Sequence, residues 1–531
     1  MRYTRIFAPM TIPIPVAETI AIIDLGTNTF HVLIIEITPT GEMRVIDKFR
    51  EAVKLGEGGF ATHTLAPEAY RRGMQALLKI KTLLDSKPVS RVLAFATSAI
   101  RSAENGKDFV AEAYAQTGIE IQIINGNEEA ALIYQGVKYG LALPVHQDVL
   151  IVDIGGGSVE FIVGNRQNAK LLRSVNIGAQ RMMDVTGPFD QISPQQIQTL
   201  IESYERELHA LLAEIKEFRI KTLIGSSGTY ETFGVMAAHE AGEKNFVDNL
   251  NGYRFEVKRF KKLAKKLLSS TRAERLTIPG MEVLRVDMIL MGTVLTDFLV
   301  ERLGIEEIQV SNYALKEGIL SNYLSEQGND QTEAYLTRDP REQAVINLAV
   351  KFGCSIEKAD YTSRLALSLF DQTQMLHNFS AEERQLLHFS TLLVDVGHYI
   401  QRSGHHKHGQ YIIQNSALPG FSGKELLLMA NLVRYHRKSL PSLDHLHYNV
   451  LYKEDKNIIN KLGGILRLAV NLNRANRKVI QAITMHSLPN RDLLLKVYAP
   501  VSIQLEIEAA MEAKEMFEKA FETRLTIVQG G

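Results

Sequence analysis

Two stretches of the chain repeat one order of apolar and polar positions: an apolar run, Asp-x-Gly, small hydroxyl residues, then a second apolar run. The first reads Ile20-Ala-Ile-Ile-Asp24-Leu-Gly26-Thr27-Asn28-Thr29 and continues into Val32-Leu-Ile-Ile-Glu-Ile37. The second reads Val149-Leu-Ile-Val-Asp153-Ile-Gly155-Gly156-Gly157-Ser158 and continues into Phe161-Ile-Val. β-Branched runs around a turn in which glycine permits positive φ predict strand, tight loop, strand in each case. Two similar lobes are therefore expected, at residues 1–135 and 136–325.

Between the copies the period alternates. Pro67 to Leu84 and Asp108 to Gln116 read as helices, Arg91 to Ala96 and Glu120 to Ile124 as strands, which is α/β order. After the second copy come a helix around Gln195 to Glu217, a strand at Lys221 to Ile224, and a third glycine-rich loop, Gly225-Ser226-Ser227-Gly228-Thr229. The polar stretch Ser325 to Thr332 reads as a linker. Helical periodicity then dominates from Arg341 to about Arg477, within a helical domain expected at residues 326–477, and residues 478–531 read as strand, strand, long Ala/Glu/Lys-rich helix, strand, a small α+β unit.

Composition narrows the picture. The 531 residues, 45% hydrophobic and 23% charged, fit a globular chain of three or four domains. Sixty basic and sixty acidic residues cancel, so a polyanion has to be met by a local basic patch; no nucleic-acid partner is expected. One cysteine, Cys354, makes no intrachain disulfide and points to the reducing cytoplasm. Pro9, Pro13 and Pro15 interrupt the apolar N-terminal stretch, which reads as a loose arm, and Gly292, Thr296 and Asp297 interrupt the most apolar later segment, so no membrane role is expected.

The glycine loops carry the chemistry. Consecutive N–H groups exposed by glycine form nests that bind anions, and Thr27, Thr29 and Ser158 add hydroxyl donors. Asp24 and Asp153 repel phosphate and are placed to hold Mg²⁺ instead, through water, with Glu160 as a further carboxylate for the same ion. A single such loop is matched by an ordinary hairpin turn; three in two lobes are not. No Walker A sequence occurs, since Gly106-Lys107 and Gly423-Lys424 precede Asp and Glu. Gly56 to Ala61 fits a dinucleotide fingerprint without the preceding strand that it needs.

Taken together, Asp24-Leu-Gly-Thr-Asn-Thr-Phe-His31, Leu55-Gly-Glu-Gly58, Ala96-Thr-Ser-Ala-Ile-Arg101, Asn125-Gly-Asn-Glu-Glu-Ala-Ala131, Asp153 to Glu160 and Gly225 to Thr229 resemble the exopolyphosphatase and guanosine pentaphosphate phosphohydrolase family over nearly the whole chain. The resemblance implies two actin-like (ribonuclease H-like) ATPase lobes, Mg²⁺ dependence, and release of orthophosphate from inorganic polyphosphate or guanosine pentaphosphate. It places the catalytic base at Glu129. It places substrate phosphates against Thr27, Asn28, Thr29, Arg101, Gly155, Gly156, Gly157, Ser158 and Gly225 to Thr229. Hydrolysis independently asks for a carboxylate that orients water in line with the scissile bond, and of the adjacent Glu128 and Glu129, about 100° apart on a helix, one faces the cleft. The alternatives are a pentaphosphate phosphohydrolase, a kinase on the same fold, and a polyphosphate or alarmone sensor without turnover. A homodimer is expected.

The helical part resembles the HD metal-phosphohydrolase domain through Leu392 to His398, Gly404 to His408 and Tyr435 to Arg437. Val394, Lys358 and Val470 stand where that pattern has metal ligands, so an HD-like fold without its own metal is expected. Its remaining His405, His406, Lys407, His408, Arg434, Arg437 and Lys438 are expected to line a polyanion path or to form a solvated loop. The basic run Lys258 to Lys266 reads chiefly as a wet helix face.

Overall fold

The computed structural model describes residues 17–38, 43–187, 189–243, 249–326, 339–416, 418–489 and 492–530. The proline-containing arm and most of the expected linker lie outside these residues. The chain forms an α/β N-terminal region, a mostly helical middle and a small α+β C-terminal unit.

The sequence repeat is a repeat of topology. In the first sheet, β1 (Glu18–Leu25), β2 (Thr29–Ile37) and β3 (Met43–Ala52) form an antiparallel meander, and β4 (Arg91–Ala96) and β5 (Ile121–Ile123) add in parallel beyond β1, in the order β3-β2-β1-β4-β5. The second sheet does the same with the meander β6 (Val149–Ile154), β7 (Val159–Gly164) and β8 (Ala169–Val175), and with β9 (Thr222–Ser226) parallel to β6. It continues through β10 (Arg254–Glu256) and β11 (Glu307–Val310) in the order β10-β11-β9-β6-β7-β8. Every residue of β6 and β7 is buried. Strands covered on both faces read as continuous apolar runs, which is why these were legible without alternation.

Two helices, Gly126–Gly140 and Leu315–Glu326, fill the space between the sheets. Ile20 and Ile22 of β1, Ile151 of β6 and Ile224 of β9 share one core with Ala130, Ile133, Val137, Leu315 and Ile319. A division at 135/136 thus falls inside a helix that packs on both sheets. The helices meet at glycines: a Cβ on Gly136 would stand 1.9 Å from the Ala314 carbonyl oxygen, and one on Gly318 would stand 1.8 Å from that of Leu132. Gly318→Ala should accordingly cost about 1–3 kcal/mol, because neither backbone yields without parting the helices. Urea unfolding that matches the parent's would show that this crossing tolerates a methyl group.

Beyond Asp339 the helices Pro340–Lys351, Ile356–Gln372, Ala381–Leu392, His405–Gln414, Gly423–Tyr435 and Lys453–Leu472 pack together. The final sheet, β12 (Ala482–Ser487), β13 (Leu493–Tyr498) and β14 (Leu525–Gln529), follows the expected order, except that the long helix is two, Gln504–Ala513 and Glu515–Phe521. One core runs from Val345 and Leu369 through Leu466 to Leu495, Phe517 and Ile527. The helical region and the small sheet therefore form one packing unit across the division at 477/478.

Candidate active site

The first two glycine loops face each other across the lobes. A Cβ on Gly156 would lie 2.6 Å from Asn28 Nδ2 and 2.9 Å from Thr27 Cβ, so only glycine allows this approach. The carbonyls of Gly155, Gly156 and Gly157 accept from the N–H groups of Ala179 (2.9 Å), Gln180 (2.8 Å) and Gly178 (3.3 Å) at the start of the helix Ala179–Thr186. With its carbonyls turned onto that helix, the loop keeps the N–H groups of Gly156 and Gly157 unpaired among the described residues, as are those of Thr27 and Asn28 opposite. Two facing nests result. Asn28 Nδ2 reaches Met288 Sδ (3.0 Å), while Asn28 Oδ1 is buried without a partner among the described residues. Thr29 begins β2. Ser158 is 2% exposed and favours the ionised form of the neighbouring Glu160.

The third glycine motif is not a loop. β9 passes directly into the helix Ser227–Glu240, with Ser227 at φ 72° as the only transition. Gly225 lies within β9, where a Cβ would strike the Tyr230 ring at 1.9 Å, and the Arg285 guanidinium covers Gly228. The hydroxyls of Ser226 and Ser227 donate to the main-chain carbonyls of Tyr313 (3.2 Å) and Ile154 (3.2 Å), and both residues favour the ionised form of the Asp153 carboxylate. Thr229 packs its methyl group toward Gly292. The glycine and hydroxyl composition was read as a loop because helix N-termini favour the same residues.

Asn125 and Glu128 cap the helix Gly126–Gly140 reciprocally: Asn125 Oδ1 accepts from the Glu128 N–H (3.0 Å), and Glu128 Oε2 accepts from the Asn125 N–H (2.9 Å). Glu128 is thereby a structural residue. Glu129 points the other way, is 7% exposed, and accepts from Arg101 Nη1 at 2.7 Å. Arg101 also donates to the Ile124 carbonyl (3.1 Å), which fixes its fork over the helix start. Burial pushes Glu129 up to about 7 against the pull of Arg101, with Asp24 and Asp153 adding to the rise.

Asp24 and Asp153 stand at equivalent places on β1 and β6, and burial pushes each up to about 6. Lys316, half-buried on the helix Leu315–Glu326, opposes both shifts. Sequence reading missed it: a single lysine in a helix carries no local mark of the cleft. Glu160 sits opposite Asp153 in the β6–β7 register, 1% exposed, and accepts from Ser174 Oγ (2.7 Å). Burial, then Glu129 and Asp153, raise it well above the carboxylate range.

The donor set fits a hard divalent cation. Asp24, Asp153 and Glu160 offer only oxygen, are desolvated, and repel one another, a cost that a dication removes. Their ligand atoms do not come within 4.8 Å of one another as a trio, in keeping with an ion held partly through water. The carboxylates of Asp24, Asp153 and Glu129 ionise later when folded, so their contribution to stability is intact below about 4 and is lost as pH rises through about 6 to 7. In chelator the melting temperature should fall between about pH 5 and about pH 8, and Mg²⁺ should raise it most at the upper end. A flat profile indifferent to Mg²⁺ would contradict the carboxylate assignment.

In the helical region His405, His406 and His436 are buried, so His405 and His406 do not line a surface path as expected. Lys407 and Lys438 are the exposed members of the set, and His408, Arg434 and Arg437 are intermediate. Lys358 Nζ pairs with Asp395 Oδ2 at 2.6 Å. Asp395, His398 and His405 nevertheless offer ligand atoms within 4.8 Å of one another, a grouping that the expectation of a helical part without its own metal did not foresee. Lys358, Arg402 and Arg437 press on His398, and Arg434, Arg437 and Lys438 on His406; that field also opposes a dication. The basic run near Lys261 is a surface face, with Lys261 paired to Asp297 (2.7 Å) and Glu301 (2.6 Å), and Lys262 to Glu240.

Residues 33–327 match the Ppx/GppA phosphatase family, and residues 341–510 match Ppx/GppA phosphatase, domain III. The chain is 27% identical over 433 residues to a protein of Photobacterium profundum named guanosine-5'-triphosphate,3'-diphosphate pyrophosphatase, covering 82% of this chain and 83% of that one. A solved exopolyphosphatase from Cytophaga hutchinsonii is 34% identical, with a TM-score of 0.55, over 59% of this chain and 99% of that one. A solved exopolyphosphatase-like protein is 26% identical, with a TM-score of 0.53, over 58% of this chain and 98% of that one.

Proposed function

The chain belongs to the Ppx/GppA phosphatase family, and from that premise we propose that it is an exopolyphosphatase, releasing orthophosphate from the end of inorganic polyphosphate with Mg²⁺. The observation that carries this reading is Glu129: a buried carboxylate held by Arg101 at a helix start, beside two facing nests of unpaired N–H groups. The nests of Thr27–Asn28 and Gly156–Gly157 take the terminal phosphoryl oxygens. Glu129 accepts a proton from water as the new P–O bond forms and the bridging P–O bond breaks, the leaving phosphate carrying away the bridging electron pair. Arg101, drawn toward phosphate, frees the carboxylate for this step. Asp24 and Asp153 would hold Mg²⁺, which neutralises charge on the phosphates when bound, with Glu160 behind Asp153.

The repeated topology around the cleft supports an actin-like reading of the two lobes. The helical region reads as HD-like and as a grip on the trailing chain without a metal of its own, a role that its exposed Lys407 and Lys438 serve. A homodimer in the cytoplasm completes the reading; among the described residues no helix is long and apolar enough to cross a membrane.

The Photobacterium relative favours a second substrate, guanosine pentaphosphate, which offers the same kind of terminal anhydride. Turnover on long polyphosphate and on guanosine pentaphosphate, measured side by side with Mg²⁺, decides between them. Release of orthophosphate from neither, with binding of either, would replace both readings by a sensor.

A further inference from the structure

Sequence reading did not single out Arg181, yet the structure leaves it with an unfilled bonding position inside the cleft. It lies in the first turn of the helix Ala179–Thr186, where its Nε donates to the Gly157 carbonyl (3.0 Å) and its guanidinium stacks on the Phe60 ring at 4.2 Å. Phe60 comes from the first lobe and Gly157 from the second, so Arg181 bridges them. Its Nη2 is shut away from solvent without a hydrogen-bond partner among the described residues. Asp184, the nearest acidic influence on it, accepts from Gln180 Nε2 at 3.2 Å.

A second orphan adjoins it. Ser98 Oγ is buried without a partner among the described residues, and it lies 2.5 Å from where a Cβ on Gly157 would stand. Both polar groups thus converge on the residue whose N–H belongs to the second nest. Arg181 also lines a narrow cavity of about 10 Å³ with Gly56, Phe60, His63, Thr64 and Ser102. An unpaired buried donor on a cation is among the most costly groups to leave unsatisfied, and a phosphoryl oxygen satisfies it with a charge-assisted bond.

Building on the phosphohydrolase reading, we propose that Arg181 is a substrate-binding residue whose Nη2, with Ser98 Oγ, takes an oxygen of a phosphoryl group held at the Gly157 side of the cleft. Arg101, which binds Glu129, also depresses the basicity of Arg181 once burial has done so. An anion between two guanidinium groups removes that repulsion, so Arg101 and Arg181 are suited to flank one phosphoryl group. Arg181 then gives the anion a contact on the face of the loop that neither Asp24 nor Asp153 can supply.

Calorimetric titration of the full chain with inorganic tripolyphosphate, in Mg²⁺ and in the Glu129→Gln background, tests the assignment. Arg181→Met keeps the stem and drops the charge; its Kd should rise about 10-fold or more, as for loss of a charge-assisted bond. Arg181→Lys, which keeps charge without the fork, should fall between the two, and Ser98→Ala should weaken binding about 3-fold or more. A brace alone would lower the melting temperature of the ligand-free protein and leave Kd unchanged in the folded fraction. If Arg181→Met does not fold, Arg181→Lys and Ser98→Ala both binding like the parent overturns the proposal, as does parental affinity in a folded Arg181→Met. Should the wild-type chain release no orthophosphate while these variants still lose tripolyphosphate binding, the hydrolase reading falls and the Arg181 assignment stands.

Discussion

Replacing Glu129 by glutamine should lower turnover about 10²- to 10⁴-fold while substrate binding survives, the loss typical of removing a general base. Glutamine keeps the size and the acceptor oxygen toward Arg101, so the pair at 2.7 Å persists as a neutral–charged hydrogen bond. What disappears is the capacity to take a proton. The effect should fall on kcat, because the nests proposed to bind phosphate are backbone and do not depend on this side chain. In wild type, kcat should rise with pH as Glu129 ionises, since burial pushes its carboxylate up to about 7, and substrate anions drawing off Arg101 leave that rise in place. Glu128→Gln is the control: Glu128 caps the helix through the Asn125 N–H, so its loss should be felt in stability rather than turnover. Wild-type-like turnover of Glu129→Gln, at substrate concentrations well above KM, would remove the base from this site.

Asp153→Asn should weaken activity and the apparent affinity for Mg²⁺ together, by about 10- to 100-fold, the range seen when groups that hold or orient a metal are lost. Asn is isosteric with Asp, and the neighbouring Ser226 and Ser227 hydroxyls are held by main-chain carbonyls, so the geometry survives the change to an amide while the charge does not. Raising Mg²⁺ should recover part of the rate in Asp153→Asn and none in Glu129→Gln. That contrast separates a residue that holds the ion from one that moves a proton. An unaltered magnesium titration in Asp153→Asn would show that the ion, if used, is held elsewhere.

The strands and loops that build this site were legible because they depend on local chemistry. Arg91–Ala96 begins and ends where the apolar run does, and Pro67 opens its helix at the first turn, where a missing N–H costs nothing. Helical geometry said only that one of Glu128 and Glu129 faces the cleft, and the family resemblance chose Glu129; in the structure Glu128 is taken up in the capping box. Lys316 and Arg181 were invisible because their roles come from what folds against them. Lys316 gains its role from carboxylates on β1 and β6, and Arg181 from Phe60, which is distant in sequence. The histidines of the helical region misled for the same reason: clustering in sequence says nothing of depth, and His405 and His406 turned inward while Lys407, the next residue, stayed outside. Gly225 was read as a phosphate residue although its lack of a Cβ makes room for the Tyr230 ring.

The contact of Gly136 with Gly318 makes the helix Gly126–Gly140 a lever with its fulcrum fixed toward its C-terminal end. Glu129 rides seven residues from that fulcrum, about 10 Å at 1.5 Å per residue. A rotation of roughly 10° about the contact would swing its carboxylate by about 2 Å, and a misplacement of about 1 Å is enough to cost a hundredfold in rate. Lys316, two residues from the pivot on the other helix, would hardly move. Aim of the base and charge balance at Asp24 and Asp153 are thereby geared differently to the same hinge. Small changes in the angle between the helices would throttle proton transfer long before they disturbed the cation's seat.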